Sequence, residues 1–187
     1  MRVFVALNLD RAVRKRLHGS LEALRQRDWP VRWTAASSLH LTLRFLGDIE
    51  GNEVPRIEES LRTVAARHGP QRLELAGFGA FPSLRRASVL WVGVTPDPAL
   101  MALQRELELA MSRLGYGREQ KPFRPHVTVA RLRAGARTPD VERDAAGYEH
   151  TDNDHVETMD LMRSHTDPGG ARYETLLRIA LGQEADT

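Results

Sequence analysis

Two short segments combine residue types that can move protons and bind anions: His40-Leu41-Thr42-Leu43 and His126-Val127-Thr128-Val129. In a strand, residues two apart point the same way, so each His shares a face with its Thr while the intervening Leu or Val turns to the core. The chain has 7 His and 11 Thr in 187 residues. Chance then gives roughly 0.4 His-x-Thr pairs, and about 0.07 with both variable positions apolar. Two copies therefore call for an explanation. Paired imidazoles suit a displacement in which one proton is removed and another delivered. Phosphoryl transfer at an RNA 2′,3′-cyclic phosphate is of that kind: water or a hydroxyl attacks phosphorus while a ribose oxygen leaves in line. The strained ring already holds the reacting groups, so no metal is obligatory. A Thr hydroxyl beside each His can donate to a phosphate oxygen without adding a repelling anion.

Hydrophobic periodicity supplies the elements that must position these groups. Residues 2 to 8 read as a strand, Asp10 as a helix N-cap, and Val13, Leu17, Leu21 and Leu24 as one amphipathic helix closed by Trp29-Pro30. Extended segments are predicted over 31–33, 39–46, 73–81, 87–94, 123–132, 156–165 and 173–181. Helices are predicted through Ile57, Leu61 and Val64, and from Leu100 to Leu114 before Gly115. Laid on itself at an offset of 86, the chain puts Val3 on Val89, Leu17 on Leu103, His40 on His126, Thr42 on Thr128 and Leu46 on Leu132. This predicts one domain over 1–187 built from two related halves, about 2–47 and 88–133, each presenting a polar strand to a shared cleft. The stretch 133–154, rich in carboxylates and holding Gly135, Pro139 and Gly147, reads as a loop or lid.

Composition removes other chemistries. Hydrophobic types make up 41% and there are only 14 Gly and 10 Pro, which supports a packed core. Without cysteine there is no disulfide, thiolate metal site or cysteine nucleophile, and a reducing cytoplasmic compartment is expected. The net charge of +2 does not by itself argue for nucleic acid. No segment reaches the roughly 18 apolar residues of a membrane span, and the apolar start is too short for a signal peptide. His150, Asp152, Asp154 and His155 lack regular ligand spacing, so neither metal nor cofactor is expected. Gly77-Phe78-Gly79 lacks the third glycine and following helix of a dinucleotide loop. Arg124 and Arg131 flank the second motif as candidates to hold phosphates. Phe4 and Phe123 are candidates to stack a terminal base, with core packing as the competing use.

Across nearly its whole length the chain resembles the 2H phosphoesterases, and within them the RNA 2′,3′-cyclic phosphodiesterases long named 2′-5′ RNA ligases. The resemblance lies in residues 1–7, 39–47 (Leu-His-Leu-Thr-Leu-Arg-Phe-Leu-Gly), 77–82, 89–94 and 123–132 (Phe-Arg-Pro-His-Val-Thr-Val-Ala-Arg-Leu). It implies an α+β fold of two pseudo-symmetric lobes, mainly antiparallel sheet with outer helices, and a central cleft bearing the two His-x-Thr strands. It also implies hydrolysis of RNA 2′,3′-cyclic phosphate ends to 2′-phosphates, with His40 as proton donor to the 3′ oxygen, His126 as proton acceptor, and Thr42 and Thr128 on the phosphate. Arg131 resembles the family's phosphate-facing arginine, although strict alternation puts it opposite His126 unless a bulge intervenes. Segment 163–173 resembles the family's closing hairpin. An RNA-processing monomer is the expectation; a 2′-5′ RNA ligase and a non-catalytic RNA-binding module are the alternatives.

Overall fold

A computed structural model describes residues 1–167 and 170–182; the predicted hairpin turn at 168–169 lies outside the described residues. The chain runs β1 (Arg2–Asn8), α1 (Arg11–Ser20), α2 (Glu22–Arg25), β2 (Val31–Trp33), β3 (His40–Asp48), α3 (Val54–Ala65) and β4 (Gln71–Phe81). It continues through β5 (Val89–Val94), α4 (Pro98–Arg113), β6 (His126–Leu132), α5 (Val141–Asp144), β7 (Thr151–Val156), β8 (Thr158–Asp167) and β9 (Gly170–Ala180). The strands form one sheet in the order β7-β4-β5-β6-β3-β1-β8-β9, with β2 on the edge of β6. Every pairing is antiparallel. The fold is the expected α+β arrangement. Its two halves, β3-β1-β8-β9 and β6-β5-β4-β7, meet at the single paired position Leu41↔Val127.

The helices cover one face of the sheet. Asp10 caps α1 by accepting from the Ala12 N–H, and Val13 and Leu17 face inward. Asp97 caps α4 before Pro98, and Leu100, Leu103, Leu107 and Met111 are buried. With Ile57, Leu61 and Val64 of α3 they form the main core beneath the central strands. A second, smaller cluster of Phe4, Ala6 and Met162, with Tyr173 against it, lies apart from that core. Phe4 and Ala6 alternate along β1 with Val3, Val5 and Leu7 of the main core, so this cluster lies on the other face of the sheet. Among the described residues no helix is long and apolar enough to cross a membrane.

Three expectations need correction. The first predicted helix is broken at Leu21 into α1 and α2, because the chain turns there so that Leu21 and Leu24 both reach the core. The segment 133–154 is not wholly loop: it contains α5, and β7 begins at Thr151 and pairs with β4 from Gln71↔Val156 to Ala76↔Thr151. Its acidic residues have partners, since Asp152 pairs with Arg16 at 2.7 Å and buried Asp154 accepts the Asp10 N–H at 2.8 Å. Finally, the repeat offset of 86 holds on β3 and β6 but becomes 85 on β1 and β5. Thr42 sits opposite Ala6, and Thr128 opposite Trp91.

Candidate active site

Both motifs open their strands, and both alternate as expected: Leu41, Leu43, Val127 and Val129 are buried while His40, Thr42, His126 and Thr128 are partly accessible. The Leu41↔Val127 pair fixes their relation. Continuing its antiparallel register puts His40 across from Thr128 and Thr42 across from His126. The four side chains therefore occupy the corners of a quadrilateral, imidazoles on one diagonal and hydroxyls on the other.

Each ring is oriented by a backbone carbonyl two residues earlier. His40 Nδ1 lies 2.7 Å from the Ser38 oxygen, and His126 Nδ1 lies 2.6 Å from the Arg124 oxygen. A carbonyl can only accept, so Nδ1 carries the proton in both rings and Nε2 is the nitrogen left for chemistry. In the free site the Thr42 hydroxyl donates to His40 Nε2 at 3.1 Å. The turn that presents the Ser38 carbonyl is tied down by Arg14, whose guanidinium donates to the neighbouring Ser37 oxygen and to Leu9.

Burial favours the uncharged rings. It lowers the His40 pKa from 6.5 to about 4, against the Ser38 bond and with further lowering from the charges of Arg14 and Arg131. It also lowers His126, against the Arg124 carbonyl and again with Arg131. The guanidinium of Arg131 thus bears on both imidazoles.

That placement resolves the alternation problem. Leu90 pairs with Ala130 but Trp91 with Thr128, which leaves Val129 as the extra residue of a β-bulge. Val129 and Ala130 are both buried, and Arg131 emerges on the face of His126. β3 carries the matching bulge at Leu43, between Arg44↔Val5 and Thr42↔Ala6. There the residue turned outward is Phe45, 48% exposed.

Aromatic rings wall both histidines. Phe4 stacks on His40 at 5.0 Å, and Tyr173 meets the same ring edge-on at 5.0 Å. Phe81 packs edge-on to His126 at 4.9 Å, with Trp91 at 6.1 Å. A Cβ on Gly79 would come within 2.2 Å of the Trp91 indole, so this strand position must be bare for the ring to lie there.

Not every predicted site residue is brought together. Phe4 is 1% exposed and buried beneath the His40 ring, so it supports the imidazole and has no free face for a base. Phe123 packs against the main core and keeps part of its ring accessible. Arg124 contributes its carbonyl to His126 and exposes its side chain. Phe45, Tyr173, Phe81 and Trp91 were missed. Phe45 could have been found, because the 86-residue offset lays it on Arg131; Tyr173 comes from the outer strand of the sheet, which no local pattern reveals.

The 2′-5′ RNA ligase superfamily pattern matches residues 11–168. An Archaeoglobus fulgidus protein named RNA 2′,3′-cyclic phosphodiesterase is 31% identical over 178 residues, 94% of this chain and 98% of its own. The crystal structure of TT0787 of Thermus thermophilus superposes with a TM-score of 0.82 at 28% identity, covering 99% of this chain and all of that one. E. coli LigT complexed with 3′-AMP gives 0.70 at 28% identity, covering 97% and 98%. Paired His-x-Thr strands on an antiparallel sheet, a pattern match over most of the chain, and near full-length relatives agree: the chain belongs to the 2′-5′ RNA ligase superfamily.

Proposed function

We propose that the protein hydrolyses RNA 2′,3′-cyclic phosphate ends to 2′-phosphates by acid–base catalysis between His40 and His126, without a metal. The observation that carries this reading is the quadrilateral of two histidines and two threonines, with each ring turned so that Nε2 is the nitrogen left free of a backbone carbonyl. A phosphate seated at its centre has an imidazole toward each apical position and a threonine toward the equatorial oxygens, which is what in-line displacement needs. His126 Nε2 takes a proton from the attacking water as its oxygen bonds to phosphorus. The bond to the 3′ oxygen breaks, and that oxygen takes the proton from His40 Nε2. The 2′ oxygen keeps the phosphate.

His40 must then be an imidazolium, which burial opposes in the free site. The anionic phosphodiester supplies the missing counter-charge and also offsets Arg131, so substrate binding itself favours the protonated ring. Thr42 and Thr128 donate to the phosphate oxygens, Arg131 neutralises developing charge, and the exposed Phe45 ring offers its face to the terminal base. The names of the relatives support the same reaction class.

The test is an oligoribonucleotide ending in 2′,3′-cyclic phosphate, incubated with and without EDTA and read by phosphorus NMR. A 2′-phosphomonoester formed equally in both is the expected outcome. A 3′-phosphomonoester would overturn the roles of the two histidines, and loss of activity in EDTA would overturn the metal-free step. Adding a strand with a 5′-hydroxyl reports ligation in the same tube.

A further inference from the structure

One buried carboxylate has no part in that reaction. Asp160 is 0% exposed. It belongs to a row that crosses four strands, Thr42–Ala6–Asp160–Arg178, each residue opposite the next. Residues opposite one another project to the same side, so Asp160 and Arg178 stand on the same face of the sheet as Thr42. Asp160 Oδ2 accepts from Asn8 Nδ2 at 2.7 Å and from Arg178 Nε and Nη2 at 3.3 and 3.2 Å. Asn8 is in turn the register partner of His40. The other oxygen, Oδ1, is buried with no hydrogen-bond partner among the described residues.

A buried, half-satisfied carboxylate is poor value for stability, since an apolar residue of similar size would avoid its desolvation. Its effect is to hold Arg178. That side chain remains 61% exposed although Asp160 fixes one edge of the guanidinium. The rest of the guanidinium is therefore accessible on the face that carries Thr42. With strands about 4.8 Å apart, Asp160 lies roughly 10 Å along the floor from Thr42, within a nucleotide or so of a phosphate bound there.

We propose that Arg178, oriented by Asp160 and Asn8, binds the phosphodiester preceding the terminal nucleotide, so that the protein prefers RNA strands to mononucleotide 2′,3′-cyclic phosphates. The inference rests on the cyclic-phosphate reading of the cleft. It gives the row beside the histidines a binding task of its own, and Asp160 is a positioning residue in it.

The experiment compares kcat/KM on a cyclic-phosphate-ended tetraribonucleotide and on cytidine 2′,3′-cyclic monophosphate. The proteins are wild type, Arg178→Gln, Asp160→Asn and, as a remote control, Arg62→Gln. Wild type should favour the tetranucleotide. Arg178→Gln should lower the tetranucleotide-to-mononucleotide ratio by on the order of tenfold. It should also flatten the log–log salt dependence on the tetranucleotide by about 0.7, the slope of one single-strand phosphate contact. Asp160→Asn should move the ratio the same way, and Arg62→Gln should leave it in place. A wild type without preference, or an Arg178→Gln ratio equal to wild type, overturns the inference while leaving the cleft reading intact. Failure of wild type to open either substrate would instead overturn the reading beneath it.

Discussion

At the scale of single residues, the proposed scheme separates proton carriers from donors that only hold charge. His40→Ala and His126→Ala should each lower turnover by on the order of 10² to 10⁴, because each removes one proton-transfer partner; near wild-type turnover in either would refute the two-histidine scheme. Thr42→Val and Thr128→Val should cost less, about 1.5 to 4 kcal/mol of transition-state stabilisation each, in a fold that Val suits. The pH profile carries the electrostatics. kcat/KM reports the free protein, where both rings are depressed, so its bell should lie on the acid side of 6.5 with one limb near pH 4. The limbs of kcat should stand higher, since the bound phosphate favours an imidazolium. A rate rising steadily to pH 10 would indicate hydroxide as the nucleophile instead.

At the scale of elements, strand irregularities decide which side chains reach the cleft. Gly79→Ala puts a methyl group into the indole of Trp91. The ring must move, and we expect a loss of about 1–3 kcal/mol together with reduced activity as the wall of His126 shifts; unchanged thermal stability and turnover would show the indole to be unimportant. The same irregularities mark where the sequence was legible. Period-two alternation located β3 and β6 and put each His with its Thr, because nothing disturbs the first three residues of either strand. The bulges at Leu43 and Val129 were invisible, since buried Leu and Val look the same in or out of register. Residues 151–154 read as loop because Asp152 and Asp154 meet Arg16 and the Asp10 N–H, both far away in the chain. Asp160 on β8 gave no signal either, as its partners Asn8 and Arg178 lie on neighbouring strands.

At the scale of the whole molecule, the buried imidazole of His40 couples stability to pH. Its pKa falls from 6.5 unfolded to about 4 folded, so the unfolded chain binds more protons between those values. Stability from this group is complete above pH 6.5 and is lost as the pH falls toward 4, by up to about 3 kcal/mol. Urea titrations at pH 4.5 and 7.5 should show a smaller difference for His40→Ala than for wild type, and an equal difference would refute the linkage. The joint between the half-sheets bears on motion. β3 and β6 share one paired position, and both histidines are next to it. A fulcrum travels least: flexing of the halves about this joint would carry Tyr173 and Arg178 on the outer strand through a long arc and would barely separate the two imidazoles. On the proposed mechanism, such a joint would let the rim yield to bulky cargo and keep the spacing that proton transfer needs.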